Sequence, residues 1–492
     1  MWRLLTFIYC LLPTLLFSQV CFTSNFESGA FGRVVSDKDS IIYRKIVIES
    51  KPDPVDRCEP RNQRSSRWFY FKMSKLRGDS IVMTIKGSDP LRAMYSYDNV
   101  SFSRFSKDEF YKSVLHKRFD ADSVYIAYFT PYTYQHLQKK IDRWSRENVV
   151  KVDTIGYSYK GIPIQMLRIT DPNVPDDDKK GLWIQSRVHP SETPSSFVME
   201  GVIERLLNDN ERELLKKTIF YIVPMINPDG VVRGYSRTDA KGINHECNYN
   251  SSVQCTAVEV MAVKKYITSI FDDKQGLSLF LNLHAQVACK SSYWIHTAES
   301  SSQILFNKKK LISAHTELYP QKKRGNDDYV KRRGQVPEGW IYNNWGDRCV
   351  AMTLEVPYTY YSDRDMWVDE DNLASYGGNL VDVAANAVGV GTSKSVILDN
   401  KPARRGWQGV CEGLYYGDNY LIAKKKSAKA IFETPKLDVG LWNIYLWDVK
   451  EEIWKFSDVV DIKRTKAVPI GIKSKEKGEM LDAIMIRKDD SK

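Results

Sequence analysis

Two histidines and a glutamate stand where hydrophobic runs end. His189 and Glu192 lie in the tetrapeptide His-Pro-Ser-Glu, after the apolar residues 182–184, and His284 directly follows a second apolar run at 277–283. Two histidines and one glutamate are the ligands of a catalytic zinc ion that keeps its fourth position for water. Because the ends of adjacent strands meet at one crevice of an open α/β sheet, the three side chains are predicted to form one metal site.

The His189–Glu192 spacing is weak support for a metal site when it is taken alone. A histidine and a glutamate three residues apart are common on solvated helix faces, and a histidine after a strand is often a core residue bonded to backbone. The chain has only seven histidines, however, and two of them follow hydrophobic strands. The metal interpretation therefore depends on the sequence around them.

The surrounding sequence predicts the elements that would position these ligands. Apolar residues spaced by three and four between 198 and 206 predict a helix packed on a sheet. The apolar run 219–226 predicts the next strand, which ends at the turn sequence Asn-Pro-Asp-Gly. A later strand at 350–354 ends at Glu355. Strands alternating with helices predict an α/β domain.

Several motifs in this region occur in the order found in a known family. RVHPSETPSS, NPDGVVRGYSRT, FLNLHAQ and MTLEVPY resemble the zinc carboxypeptidase family, most closely its cytosolic-carboxypeptidase-like branch. The resemblance covers residues 145–392, and WFYFKMSKLRGDSIVMTIKG, MYSYDNVSFSRF and YIAYFTPYTYQHLQ upstream resemble that branch's amino-terminal β-domain. The resemblance implies an α/β mixed-sheet zinc carboxypeptidase fold. Several motifs in order are more specific than one His-Glu pair.

The resemblance also implies a role for each matching residue. His189, Glu192 and His284 would hold one Zn²⁺ per chain. Glu355 matches the family's general base, which takes a proton from the zinc-bound water and passes it to the leaving amine. Arg237 matches the arginine that polarises the scissile carbonyl and stabilises the oxyanion. The alternatives are that Glu355 is an ordinary strand-end carboxylate paired with a lysine and that Arg237 is one of many solvated arginines.

One loop departs from the family pattern. The family has an Asp-x-Asn-Arg-like motif whose Asn and Arg grip the terminal carboxylate of the substrate, and here Glu246 and Cys247 stand at those two positions. A shift of two residues brings Asn248 to the Asn position but Tyr249 to the Arg position. A glutamate repels an anion, and neither alignment restores a bidentate guanidinium.

This departure leaves the substrate-binding residues open. We expect Glu246, Arg233 and Asn244 to line the pocket, with Arg233, Lys241 or Arg348 replacing the missing cation if a terminal carboxylate is bound. Alternatively, Glu246 faces a substrate ammonium group, as in a bacterial wall peptide, or points away from the pocket. His245, in the same loop, is expected to be either a surface residue or a residue that braces the loop.

The amino terminus predicts export. One arginine, an apolar stretch at 4–17 and the small residue Ser18 form a secretory signal peptide at 1–18 that is too short for a comfortable membrane span. The mature chain would be secreted, periplasmic or at the cell surface, without a transmembrane span, and we do not expect lipidation at Cys21. Seven cysteines remain after cleavage, so not all can pair, and Cys247 could be joined to Cys255 across a short loop.

Length and pattern predict three domains after the signal. We expect an N-terminal β-sandwich at 19–142, a catalytic domain at 143–392 and a C-terminal β-sandwich-like domain at 393–492. The net charge of +11 is spread over short basic runs without a nucleic-acid motif, so no nucleic-acid partner is expected. In the last domain Trp442 and Trp447 could stack on a glycan, although tryptophans are more often core residues.

Together these features predict an exported zinc metallopeptidase of the carboxypeptidase type, acting on a peptide or cell-wall peptide. A peptidoglycan-peptide amidase of the same fold is one alternative. A catalytically weak glycan- or peptide-binding protein is the other. It is favoured by the altered carboxylate-binding motif at Glu246 and Cys247, which we call the clamp, and opposed by the intact ligands, base and arginine.

Overall fold

A computed structural model describes residues 20–39, 43–56, 58, 64–76, 78–90, 92–273, 276–294, 335–361, 366–390 and parts of 395–488. The predicted signal peptide at 1–18 lies outside the described residues. None of the helices in the described part of the chain combines the length and apolar character needed to cross a membrane.

The N-terminal region is β-rich. Its strands are β1 (Cys21–Thr23), β2 (Arg33–Asp39), β3 (Arg44–Glu49), β4 (Tyr70–Ser74), β5 (Ser80–Lys86), β6 (Met94–Ser96), β7 (Ser103–Arg104), β8 (Phe110–Tyr111), β9 (Val114–Arg118) and β10 (Ser123–Ala127). In the described residues they form two sheets, ordered β1-β4-β10-β6-β7 and β2-β3-β5-β9-β8. Alternate residues of β3 and β5, such as Ile46 and Met83, are fully buried in the same core as Phe71 of β4. This shared core is that of the expected sandwich.

The central region alternates strands and helices. In chain order it contains α1 (Tyr134–Trp144), β11 (Val150–Tyr157), β12 (Pro163–Ile169), β13 (Lys180–Ser186), α2 (Thr193–Leu206), α3 (Arg212–Leu215), β14 (Thr218–Val223), α4 (Pro228–Val232), α5 (Val258–Asp272), β15 (Leu279–Gln286), β16 (Ser292–Trp294), α6 (Pro337–Trp345), β17 (Val350–Pro357), β18 (Tyr360–Tyr361), β19 (Met366–Trp367) and α7 (Glu370–Ala387). Within the described ranges, the main sheet has the order β11-β12-β14-β13-β15-β17-β16. β14, β13, β15 and β17 run parallel, and the outer strands run antiparallel, so the sheet is mixed as predicted.

Both faces of this sheet are covered, which explains why its strands read as continuous apolar runs. On β13, Leu182 and Ile184 enter the core shared with α2 and α7, whereas Trp183 enters a second core shared with α5 and α6. Helices α2 and α7 cross closely at Gly201, where a β-carbon would collide with the carbonyl oxygen of Ala374. The parallel strands therefore end together at one edge, where the metal-site histidines were predicted.

The C-terminal region is also β-rich. Its described strands are β20 (Ser395–Asp399), β21 (Ala403–Arg405), β22 (Trp407–Val410), β23 (Tyr420–Ala423), β24 (Lys429–Leu437), β25 (Gly440–Asp448), β26 (Ile453–Ile462), β27 (Lys466–Lys473), β28 (Met480–Leu481) and β29 (Ala483–Lys488). Trp442 is buried in a separate cluster with Phe432, Ile444 and Ile484. The side chain of Trp447 lies outside the described residues. Trp442 is thus a core residue, the alternative that the sequence left open.

Candidate metal and catalytic site

The turn after β13 is shaped by a buried arginine. Arg187 has a left-handed backbone, with φ of 56°, which is costly for a residue with a β-carbon. Its guanidinium donates to the carbonyl oxygen of Pro190 through Nε and Nη2 (3.1 and 2.6 Å), to the carbonyl oxygen of Tyr132 (2.9 Å) and to Ser196 Oγ (3.0 Å). Arg187 thereby ties the His-Pro-Ser-Glu turn to the start of α2 and to the segment before α1.

This turn brings the three predicted metal ligands together. His189 Nδ1 lies 2.8 Å from Glu192 Oε1 and 3.1 Å from His284 Nδ1, and His284 Nδ1 lies 2.7 Å from Glu192 Oε2. All three side chains are buried, with relative exposures of 2–3%. Two imidazole nitrogens and one carboxylate converging in a dry site match the donors of a catalytic zinc, so these residues fit the metal that the sequence predicts.

The electrostatics of this group differ between its members. Burial, with the positive charge of Arg237, lowers the pKa of His189 to about 4. Burial opposes the charged forms of Glu192 and His284, but their mutual attraction prevails, holding the pKa of Glu192 low and that of His284 high. His189 is therefore neutral and Glu192 ionised at pH 7, the forms in which these side chains bind a metal.

Two residues of the loop that departs from the family pattern contact the ring nitrogens of the histidines that face away from the metal position. With Nδ1 turned toward the metal position, Nε2–H of His189 donates to Asn244 Oδ1 (3.1 Å) and Nε2–H of His284 donates to Glu246 Oε2 (3.1 Å). Glu246 is fully buried, and the same oxygen accepts from Asn282 Nδ2 (3.0 Å). Such partners fix the orientation of metal-bound histidines and raise their basicity. Asn244 and Glu246, predicted to line the substrate pocket, thus contact ligand side chains.

Glu355 lies on the strand next to His284. In the parallel pair β15–β17, His284 and Glu355 are directly opposite each other. Glu355 is partly exposed, whereas its neighbours Leu354 and Val356 are buried. The sheet register therefore places this carboxylate at the edge of the metal site, where it is open to solvent.

Arg237 lies in the loop after α4. Its side chain is partly exposed, and its charge contributes to the low pKa of His189. Its backbone N–H donates to Oδ2 of Asp53, a fully buried residue of the N-terminal region (2.7 Å). Asp53 was missed by the sequence interpretation, because nothing near it in the chain indicates a contact across 184 residues.

Comparison with known proteins agrees with this geometry. Residues 134–377 match the zinc carboxypeptidase family, and residues 22–129 match the cytosolic carboxypeptidase N-terminal domain. The chain belongs to the zinc carboxypeptidase family. Membership places it among the metallocarboxypeptidase-type hydrolases.

Individual relatives of this zinc carboxypeptidase are distant. It is 25% identical over 358 residues to an uncharacterised protein of Zymomonas mobilis, covering 69% of this chain and 88% of the relative. It is 28% identical over 299 residues to mouse cytosolic carboxypeptidase 6, covering 54% of this chain and 53% of the mouse protein, about half its length. The crystal structure of a metallo-carboxypeptidase from Burkholderia cenocepacia has a TM-score of 0.62 and 23% identity, covering 75% of this chain and 99% of that one.

The cations considered as substitutes for the clamp have other contacts in this carboxypeptidase. Arg233 Nη1 lies 3.7 Å from Asp229 Oδ1. Lys241 Nζ lies 5.3 Å from the centre of the Tyr159 ring, and the guanidinium of Arg348 stacks 5.3 Å from the centre of the Phe271 ring. Each of these three cations therefore lies near a carboxylate or an aromatic ring of the protein itself.

His245 braces the same loop and does not lie at the surface, so the second of the two expected roles applies. Its Nε2 lies 3.3 Å from Asp239 Oδ2 and 3.5 Å from Glu259 Oε2, all three residues being fully buried. Burial opposes protonation of His245, but the bond to Asp239 and the charge of Glu259 raise its pKa. Asp239, His245 and Glu259 are close enough to be considered a second metal group. Because His245 Nε2 faces both carboxylates, an imidazolium between two carboxylates accounts for the group, and we interpret it as an ion triad.

The cysteine pairing differs from the one considered from the sequence. Cys255 forms a disulfide with Cys58 of the N-terminal region, with 5.9 Å between their α-carbons, and not with Cys247. Closeness in the chain favoured Cys247, but the fold lays residues 50–56 against the loop at Gly242, and Cys58 lies beside Cys255. The bond therefore joins the two domains and does not close a local loop.

Proposed function

We propose that this chain is an exported, zinc-dependent metallopeptidase that hydrolyses peptide or amide bonds. The observation that carries the proposal is the convergence of His189 Nδ1, His284 Nδ1 and Glu192 in a buried site. Glu355 lies opposite His284 on the neighbouring strand, and Arg237 is near enough to lower the pKa of His189. This combination of ligands, a nearby carboxylate and a nearby cation supports hydrolysis.

The protein groups have distinct tasks in the proposed reaction. One zinc ion bound by the three ligands would polarise the substrate carbonyl and lower the pKa of a water molecule to about 7. Glu355 takes a proton from the attacking water and returns it to the leaving nitrogen as the C–N bond breaks. Arg237 stabilises the negative charge that develops on the carbonyl oxygen. Asn244 and Glu246 hold the two histidines in the orientation that the donor set needs.

The altered clamp bears on which bond is cleaved. The Asn position of the family motif is occupied by Glu246, whose carboxylate accepts hydrogen bonds from His284 and Asn282. Cys247, at the Arg position, offers no guanidinium. This arrangement favours substrates held by contacts other than a bidentate grip on a terminal carboxylate. A wall-peptide amidase of the same chemistry is therefore our second candidate.

Export is part of the proposal. The sequence at 1–18 has the features of a signal peptide, and the Cys58–Cys255 disulfide is of the kind that persists in oxidising compartments. Mass spectrometry of the protein from its native cells, with cell fractions separated, tests this. A mature chain that starts after Ser18 outside the cytoplasm is expected, and an uncleaved cytoplasmic chain would contradict it.

The deciding experiment for activity combines metal and base controls. The protein is incubated with peptides ending in a free carboxylate, their amidated counterparts and cell-wall peptides, with zinc or with a chelator. Cleavage is expected only with zinc and should fall by about 100-fold or more in Glu355→Gln. Glu370→Gln, the same change at another partly exposed glutamate, at the start of α7, is the matched control and should leave the rate unchanged. Cleavage that persists in Glu355→Gln and in chelator would refute the mechanism.

The same panel separates the two candidates and tests the binding-protein alternative. Preference for peptides with a free terminal carboxylate would support a carboxypeptidase that grips its substrate in another way. Preference for amidated or wall peptides would support the amidase. If zinc-loaded protein cleaves nothing, the proposal fails and a binding role is favoured. Glycan binding by the C-terminal domain stays a prediction.

A further inference from the structure

A segment of the N-terminal domain lies over the loop that carries Arg237. We call residues 50–56 and 58 the strap. Lys51 Nζ donates to the carbonyl oxygen of Arg233 (2.9 Å) and lies over the Tyr235 ring, 4.7 Å from its centre. At the other end of the strap, Cys58 is bonded to Cys255. The strap therefore contacts both ends of the 233–255 loop region.

Asp53 is the centre of this contact. Its Oδ1 accepts the backbone N–H of Ser236 (2.7 Å), and its Oδ2 accepts the backbone N–H groups of Arg237 (2.7 Å) and Thr238 (3.1 Å). The Asp53 side chain is fully buried. Three consecutive amides directed at one carboxylate define the path of the backbone at Arg237, because charge-assisted hydrogen bonds are short and directional.

The strap itself is held in place. The backbone N–H of Asp53 donates to the carbonyl oxygen of Ser65 (2.7 Å), and Arg64 Nε donates to the carbonyl oxygen of Asp53. On the loop side, Ser236 Oγ accepts the backbone N–H of Trp68 (2.9 Å). Asp53 is thus a fixed acceptor that does not simply follow the loop.

The charge of Asp53 does not stabilise the folded protein at neutral pH. Burial raises the pKa of Asp53, although its hydrogen bonds to Ser236, Arg237 and Thr238 oppose that rise. A carboxylate whose pKa is raised by folding disfavours the folded state at neutral pH, where it must be buried charged. Removing its charge therefore need not destabilise the protein.

We propose that Asp53 is a positioning residue of the reaction, through which the N-terminal domain fixes the loop that presents Arg237. The inference rests on the proposed hydrolase function, because Arg237 acts there on the developing oxyanion. It means that the N-terminal domain supplies part of the geometry of the catalytic site, and Asp53 does so without touching the substrate or the metal ligands.

The test compares kinetic constants of full-length Asp53→Asn with those of wild type. Asparagine has one acceptor oxygen and places an NH₂ group against at least one loop amide. We expect kcat to fall by about 10–100-fold with little change in KM, because the loop serves the transition state and small misplacements are costly. Zinc content should be unchanged. The double variant Asp53→Asn/Arg237→Ala should have the same kcat as Arg237→Ala alone, because both changes act through the Arg237 side chain.

Asp37→Asn is the matched control. It removes a partly buried ion pair between β2 and β3 of the same domain and should leave kcat unchanged. Equal kinetic effects of the two variants, or additivity of Asp53→Asn with Arg237→Ala, would overturn the proposal. If Asp53→Asn does not fold, Asp53→Glu keeps the charge but shifts the acceptors by one methylene, and the same drop in kcat is expected.

Hydrogen exchange separates this inference from the proposed function. The amides of Ser236, Arg237 and Thr238 should exchange at least about 10-fold faster in Asp53→Asn than in wild type, with little change elsewhere in the catalytic domain. This readout needs no activity. If wild type is inactive but Asp53→Asn speeds exchange at the three amides, the hydrolase function is refuted and the role of Asp53 in holding the loop is kept. Unchanged exchange at the three amides would refute the role of Asp53 even in an active enzyme.

Discussion

Glu246→Gln tests whether the altered clamp residue now serves the metal site. The change keeps the length of the side chain but removes the negative charge 3.1 Å from His284 Nε2. Loss of such a partner typically weakens metal binding 10–100-fold, which is about 1.4–2.7 kcal/mol at 1.36 kcal/mol per tenfold step. We expect the upper part of that range, since Glu246 is fully buried and its charge is poorly screened.

The zinc dissociation constant is measured by competition with a chelating dye. Glu259→Gln is the matched control, because Glu259 is another fully buried carboxylate but contacts His245 and no ligand. It should bind zinc as wild type does. If Glu246→Gln binds zinc within about twofold of wild type while Glu259→Gln is also unchanged, our account of the carboxylate behind His284 is wrong.

Three further outcomes follow from the structure. Gly201→Ala should cost about 1–3 kcal/mol of unfolding free energy through overpacking at the α2–α7 crossing, as measured by chemical denaturation. Gly378→Ala, whose β-carbon would make only ordinary van der Waals contacts, should not. Cys58→Ser, which removes the bond to Cys255, should cost on the order of 2–5 kcal/mol, and a smaller loss would show that the strap is held without it. Because the pKa of His245 is raised on folding, its stabilisation is full below pH 6.5 and is lost as pH rises through the folded value. Wild type should therefore lose stability relative to His245→Gln as the pH rises above 6.5, and parallel curves would contradict the ion triad.

The ligand set was predictable because it depends on local pattern. A continuous apolar run ending in a histidine indicates a buried parallel strand with a functional end, and β13 and β15 are adjacent as that pattern requires. The register that sets Glu355 opposite His284 follows from the same parallel pairing. The mixed sheet between two β-rich regions was likewise predicted.

Contacts between distant segments could not be predicted in this way. Asp53 lies in an irregular segment with no periodic pattern, and its three hydrogen bonds depend on how two domains pack. The disulfide links residues 197 apart, so the nearby Cys247 looked the better partner for Cys255. The position of Glu246 in a motif is visible in the sequence, but only the fold shows that its carboxylate contacts His284 Nε2.

The distribution of hydrophobic clusters has a consequence for how the molecule melts. Within the described residues, one cluster runs from Val20 in the N-terminal sandwich to Ala387 in α7, whereas the C-terminal region has a cluster of its own around Trp442. Residues that share a core unfold together. Calorimetry should therefore record the sandwich and the catalytic domain as one cooperative transition and the C-terminal region as another. An expression boundary between residues 142 and 143 would cut through a folding unit, whereas one near residue 392 would not.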